Sequence, residues 1–314
     1  MSKNTKIIGL TILAIVLILL YIFINIGNNW GYIVPRRSVK IIAIVITGAA
    51  IAFSTVVFQT ITNNRILTPS IIGLDSLYLL IQTFIVFFFG STSFIVMNKN
   101  VNFLLSISLM VLFAGFFYKV LFRKEGRNIY FLLLIGLIFG TFFQSVSTFM
   151  QVLIDPNEFM FVQDRMFASF NNINTNMLMV STILLVIIFL YFLKYLKYLD
   201  VLALGRDEAI NLGVDYDHVV KRLLVVVAIL VSIATALVGP ITFLGLLVAN
   251  VAYEFMKTYQ HKYLISGAVL ISIVALVGGQ LLVERVFTFS TTISVIVNFI
   301  GGIYFIYLLL RGSK

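Results

Sequence analysis

Few side chains in this sequence are equipped for chemistry, and those that are stand far apart. The two histidines, His218 and His261, have no carboxylate cluster at ligand spacing, so each reads as an ordinary surface residue in a connecting loop and no metal site is expected. Cysteine is absent, which removes disulfides and thiolate ligands. Neither a Gly-x-x-x-x-Gly-Lys-Ser/Thr loop nor an acidic magnesium site occurs, so the chain is not expected to hydrolyse ATP or to carry a cofactor of its own. No nucleophile stands beside a base, and no catalytic residue is expected. What remains are polar groups embedded in apolar runs: Gln59, Asp75, Gln82, Gln144, Ser147, Asn250, Glu254 and Asn298. At membrane depth such groups either hydrogen-bond a neighbouring helix, the commoner case, or line a watery path.

The most informative polar stretch is Leu204 to Gly213, LGRDEAINLG. Leu202, Leu204, Ala209, Ile210 and Leu212 keep helical register with Arg206, Asp207 and Glu208, and Gly213 ends the pattern. A solvated loop has no need of apolar residues in register with charges unless it lies against something. Helices that lie on a bilayer favour Lys and Arg on the polar face, whereas this face mixes signs. Docking into a groove on a soluble partner fits better than a plain interfacial loop.

The elements that carry these residues follow from composition. Hydrophobic residues make up 61% of the 314, charged residues 11%, and the mean hydropathy is +1.09, so lipid must solvate most of the surface. About 20 apolar residues cross a hydrocarbon core. The sequence therefore predicts an all-α integral membrane protein, one domain over 1–314. It is a bundle of roughly ten helices at about 7–26, 38–62, 70–96, 102–122, 129–152, 175–198, 222–238, 241–256, 263–283 and 291–310. A long cytoplasmic connection carrying a short amphipathic helix is expected at about 199–220, and a short surface helix in the connection near 151–174. The run from Ile7 to Ile26 is too long for a signal-peptide core and reads as the first retained helix.

With both termini in the cytoplasm, six of the 22 Lys and Arg fall outside, namely Arg36, Arg37, Lys40, Lys99, Arg165 and Arg285. The other sixteen, among them Arg123, Lys124, Arg127 and Lys314, fall inside. That bias accounts for the net charge of +10 better than nucleic-acid binding does, because no basic patch is interleaved with aromatics.

Four stretches in order carry a family resemblance: PRRSVKIIAIVITGAAIAFSTVVFQ (Pro35 to Gln59), NRILTPSIIGLDS (Asn64 to Ser76), LGRDEAINLGV (Leu204 to Val214) and VGPITFLGLLVANVA (Val238 to Ala252). Together they resemble the FecCD family, the permease subunits of bacterial iron-siderophore and vitamin B12 ATP-binding-cassette (ABC) importers, from about Pro35 to the C-terminus. The second and fourth look most like the catecholate or petrobactin branch. Two departures are visible. The family's Pro-His-x-x-Arg appears here with Ala249, Asn250 and Tyr253. Its Asp-x-x-x-Arg and Glu-Leu-Pro turn appear as Gln280, Glu284 and Arg285 followed by Ser290, Thr291 and Thr292.

The resemblance implies a type II ABC importer permease in the bacterial cytoplasmic membrane, taking up a ferric siderophore. The implied partners are a second permease, identical or paralogous, two cytoplasmic ATPases that bind ATP and Mg, and an extracytoplasmic binding lipoprotein. Gly205, Arg206, Asp207, Glu208, Ala209, Leu212 and Gly213 would then couple to an ATPase. Arg36, Arg37 and Arg285 would receive acidic residues of the binding protein, the rival role being snorkelling to headgroups. Gln59, Gly239, Pro240, Gly245 and Asn250 are expected in the translocation path or in packing beside it. Vitamin B12 or haem remains open as cargo. A different class, an ion-coupled secondary transporter, would want broken helices in both of two inverted halves, and only the Gly239-Pro240 region is interrupted.

Overall fold

The computed structural model describes residues 2–121, 129–171, 173–289 and 291–312. Arg123, Lys124, Arg127, Ser290 and Lys314 lie outside the described residues. Among those described, the regular structure is entirely helical: α1 (Lys3–Phe23), α2 (Trp30–Thr62), α3 (Leu74–Phe89), α4 (Phe94–Met97), α5 (Lys99–Leu121), α6 (Ile129–Leu153), α7 (Pro156–Met166), α8 (Thr175–Phe192), α9 (Leu196–Leu202), α10 (Arg206–Asn211), α11 (Tyr216–Val238), α12 (Leu244–Met256), α13 (His261–Arg285) and α14 (Ile293–Gly312). Seven of these, α1, α2, α5, α6, α8, α11 and α13, contain stretches long and apolar enough to cross a membrane. Helices α3, α12 and α14 are shorter apolar helices.

The two most buried spans, α2 and α11, pack against each other at the centre, with α13 on α2 and α5 on α11. Small residues make this possible. A Cβ added to Gly48 of α2 would stand 2.8 Å from Ser272 Oγ of α13, so the two helices approach as only glycine allows. Helix α1 is the opposite case. Only Ala14 and Tyr21 are buried on it; Leu10, Leu17, Ile18 and Ile22 pack partly against the core, and Ile8, Ile12, Leu13, Ile15, Val16, Leu19, Leu20 and Phe23 are exposed, as lipid contact requires.

Several helices begin or end elsewhere than hydropathy predicts. Helix α2 starts at Trp30 instead of 38 and takes Pro35 into its second turn, where the carbonyl it leaves without a donor, that of Gly31, lies at an exposed end. The helix expected over 70–96 is three pieces. Pro69–Ile72 forms a 3-10 turn, Gly73 (φ +83°) opens α3, and Gly90 (φ +76°) closes it before the single turn of α4. Helix α8 stops at Phe192, not 198. Helix α11 begins at Tyr216, not 222, because the Asp215 carboxylate accepts from the His218 N–H at 3.2 Å and caps the end.

The segment from Asn63 to Gly73 turns back into the bundle. Its 3-10 turn lies against the middle of α6, where a Cβ on Gly73 would meet the backbone of Gly140 at 2.8 Å and one on Gly136 would meet Ile72 Cα at 2.9 Å. Irregular backbone at membrane depth must be enclosed by protein or line a cavity, and here α2, α6 and α11 enclose it.

Candidate functional site

At one end of the bundle, α9 and α10 project from the membrane helices. Gly205 sits at φ +113°, a conformation that L side chains rarely adopt, and Gly213 at φ +81° ends the projection. Leu199, Leu202 and Ala209 are buried against the bundle, whereas Leu204, Ile210 and Leu212 are exposed beside the exposed Asp207 and Glu208. Arg206 is not free in this group: its guanidinium lies 3.9 Å from Asp217 and over the Tyr216 ring at 5.6 Å. The projection thus offers apolar side chains and two carboxylates outward, a surface suited to a complementary groove.

At the same end His261 is misread by the sequence. It opens α13 and is only 3% exposed, with Nδ1 2.6 Å from Asp200 Oδ1 and Nε2 2.8 Å from Thr60 Oγ1. Its partners lie far from it in sequence, so nothing in spacing alone could have drawn attention to it.

In the interior, Gln59 and Asn250 converge. Gln59 Nε2 donates to the Arg65 carbonyl at 2.6 Å, and Asn250 Nδ2 donates to the same oxygen at 2.9 Å, pinning the start of the re-entrant segment between α2 and α12. Gly245 packs on Thr55 so tightly that an added Cβ would overlap its hydroxyl at 2.1 Å. Gly239 (φ +99°) lies against Phe167 and Ala168, whose neighbour Ser169 donates its N–H to the Val238 carbonyl at 2.8 Å. Pro240 is buried beside it. All five residues are buried, and Gly245 also borders a small cleft. Asp75, half-buried in the first turn of α3, accepts from Thr235 of α11 at 3.2 Å in a cleft of about 20 Å³ that Thr55, Thr68, Ser70 and the exposed Thr242 also line.

Of the other embedded polar groups, Gln82 donates to Ser106 at 2.8 Å and Ser147 pairs with Thr83 at 2.8 Å, both between helices. Gln144 differs. With Thr141, Ser145 and Thr148 it forms an exposed polar stripe at i, i+3, i+4 and i+7 along α6, while Phe143, Ser147 and Met150 face inward. The hydroxyls of Thr141 and Ser145 turn back to the carbonyls of Leu137 and Thr141, each at 2.9 Å. A helix deep in lipid gains nothing from such a face, so the stripe suits water or another subunit. The i, i+3, i+4, i+7 spacing was available in the sequence and marks this wall.

At the opposite end, Lys40 and Glu284 form a shielded ion pair at 2.9 Å, with side chains 14% and 10% exposed. Glu284 Oε1 also accepts from Tyr21 Oη at 2.6 Å and Gln280 Nε2 at 2.9 Å. Arg37 donates to the carbonyls of Tyr21, Ile22 and Ile24 at 3.2, 2.7 and 2.7 Å, closing the C-terminus of α1, and Arg285 reaches the Ile24 carbonyl at 3.3 Å. Arg36, by contrast, is exposed, donates to Tyr32 Oη at 2.8 Å, and borders a cleft of about 240 Å³ with Lys40 and Lys99.

The model of the FecCD transport family matches residues 7–311, nearly the whole chain. The chain belongs to the FecCD transport family. This FecCD chain is 64% identical over 314 residues to the petrobactin import system permease protein YclO of Bacillus subtilis, covering 100% of this chain and 99% of that protein. It is 40% identical over 279 residues to the petrobactin import system permease protein FatC of Bacillus anthracis, covering 89% of this chain and 79% of that one. Its fold matches a solved metal-chelate type ABC transporter in an inward-facing conformation, with a TM-score of 0.82 and 21% identity over 99% of this chain and 100% of the other. It is thus a multi-pass membrane protein of a transport family. Among its described residues no group of His, Cys, Asp and Glu is arranged to hold a metal.

Proposed function

We propose that this chain is the permease subunit of an ATP-driven importer that carries a ferric siderophore of the petrobactin class across the bacterial cytoplasmic membrane. The observation that carries this reading is the 64% identity, end to end, to a petrobactin import permease. In this reading α3, α12 and α14 cross the membrane along with the seven longer helices, giving ten spans in one domain with the termini in the cytoplasm. The sixteen-to-six distribution of basic residues supports that orientation.

The projecting segment, about 199–220, docks into a cytoplasmic ATPase through Leu204, Ile210 and Leu212 with Asp207 and Glu208. Two such ATPases bind ATP and Mg, and this chain contributes no catalytic residue. A second permease, a diverged paralogue in our reading, covers the α6 stripe, and the path runs between the two subunits. A large preassembled chelate needs an apolar and hydroxyl-lined wall rather than metal ligands, and the stripe from Thr141 to Thr148 has that character. An extracytoplasmic binding lipoprotein docks at the other end, where the exposed Arg36 meets an acidic side chain while Arg37 and Arg285 hold the rim in shape.

The test is uptake of radiolabelled ferric petrobactin by an iron-starved strain lacking its own permease. The wild-type chain, expressed with its partner subunits, is expected to restore uptake and to retain an ATPase on purification. Glu208→Arg is expected to lower ATPase retention about tenfold, the loss of roughly 1.4 kcal/mol at a docking contact. Uptake that persists with no ATPase bound would overturn the reading.

A further inference from the structure

We propose that His261 is a positioning residue that clamps the projecting α9–α10 unit to the membrane bundle, so that force applied to α10 is delivered to α2. This rests on the reading of α10 as the ATPase-docking element, and it adds the joint through which that element acts.

Helices α9 and α10 form one body. The turn between them is hydrogen-bonded throughout, Leu204 N–H to Val201 O at 3.0 Å and Gly205 N–H to Leu202 O at 3.1 Å, and Val214 N–H returns to Ala209 O at 3.0 Å. Asp200 stands on α9 just before this turn. Its Oδ1 accepts twice from one residue of α13, from the His261 backbone N–H at 2.8 Å and from Nδ1 at 2.6 Å. The first contact caps α13 with a carboxylate from another element, where the helix dipole favours negative charge. The second fixes the imidazole. The far nitrogen, Nε2, then meets Thr60 Oγ1 at 2.8 Å near the C-terminus of α2, where Thr60 is itself bonded to the Val56 carbonyl at 2.8 Å.

One side chain therefore joins three elements, α9, α13 and α2. The neighbour of Thr60, Gln59, holds the Arg65 carbonyl at the entry to the re-entrant segment. The bond between the buried imidazole and the buried Thr60 hydroxyl transmits displacement, because breaking it leaves both polar atoms without that partner in a shielded place, whereas the Asp200 carboxylate stays partly exposed. An apolar contact at the same point could slide.

The chemistry of the ring makes the claim testable. An asparagine amide reaches the position of Nδ1, and a glutamine amide reaches that of Nε2. In the intact transporter, reconstituted into vesicles with its binding protein, the quantity to read is substrate moved per ATP hydrolysed. His261→Ala is expected to keep ATPase activity near wild type while transport per ATP falls about tenfold. His261→Gln, which keeps the Thr60 bond while the backbone N–H still holds Asp200, is expected to retain most of the coupling, and His261→Asn, which keeps the Asp200 contacts but not the link to α2, to lose it. Should His261→Ala fail to assemble, the Asn and Gln variants, both polar and similar in size, decide the matter alone. Equal coupling in Asn and Gln, or wild-type coupling in Ala, would overturn the clamp. A wild-type complex whose ATPase does not touch α10 would instead overturn the docking reading, so the two failures are distinguishable.

Discussion

Gly73→Ala is expected to lower sharply the thermal midpoint and the yield of folded, extractable protein, through a loss of about 2–5 kcal/mol of stability. Two costs act at one atom. Gly73 has φ +83°, where an L side chain costs about 1–2 kcal/mol. The added Cβ would also stand 2.8 Å from Gly140 Cα and 2.9 Å from its nitrogen, and α6 backbone cannot swing aside as a side-chain tip can. Overpacking of this kind adds about 1–3 kcal/mol, and the total is a large part of the roughly 5–15 kcal/mol that holds a folded domain. Size-exclusion profiles and thermal midpoints in detergent would show it. Gly278→Ala is the control: it lies in α13 with nothing within 4 Å of the added Cβ, and should leave the midpoint unchanged or slightly raised. Equal behaviour of the two variants would refute close backbone contact between the re-entrant turn and α6.

Glu284→Ala should destabilise the end that carries Arg36 by about 1–3 kcal/mol, because it removes the carboxylate from a partly shielded Lys40 ammonium whose remaining hydrogen bond among the described residues is to Asn171 Oδ1 at 3.1 Å. Tyr21 and Gln280 lose the same acceptor. The combined Lys40→Met, Glu284→Leu variant removes both charges and should recover most of the loss, since a buried ion pair is frequently replaceable by apolar side chains of similar volume. Denaturant midpoints of the two single variants and the double would separate the terms. A double variant as unstable as Glu284→Ala would show that the energy resides in the Tyr21 and Gln280 hydrogen bonds rather than in the pair.

Much of the architecture was legible because lipid imposes a simple rule. Long apolar runs had to be helices, and the runs at α1, α2, α5, α6, α8, α11 and α13 are helices. Interruptions by glycine in the left-handed region were not legible, since hydropathy does not register φ. Gly90 reads as one more residue of an apolar run and instead ends α3. The family motifs were recognisable for a related reason: Gly205, Gly213 and Gly239 hold backbone conformations that other residues resist. Side-chain partnerships were beyond reach. Arg37 and Arg285 looked like free outer charges until the carbonyls at the end of α1 were seen to occupy them, and His261 looked idle until Asp200 and Thr60 were seen on either side.

The stripe on α6 also bears on how cells must make this protein. A lone copy in a bilayer would present Gln144 and three hydroxyl-bearing neighbours to acyl chains, with no aqueous lane or companion subunit to receive them. If a second permease covers this face, as we propose, chain made in excess of that subunit should be cleared by proteolysis faster than chain made alongside it.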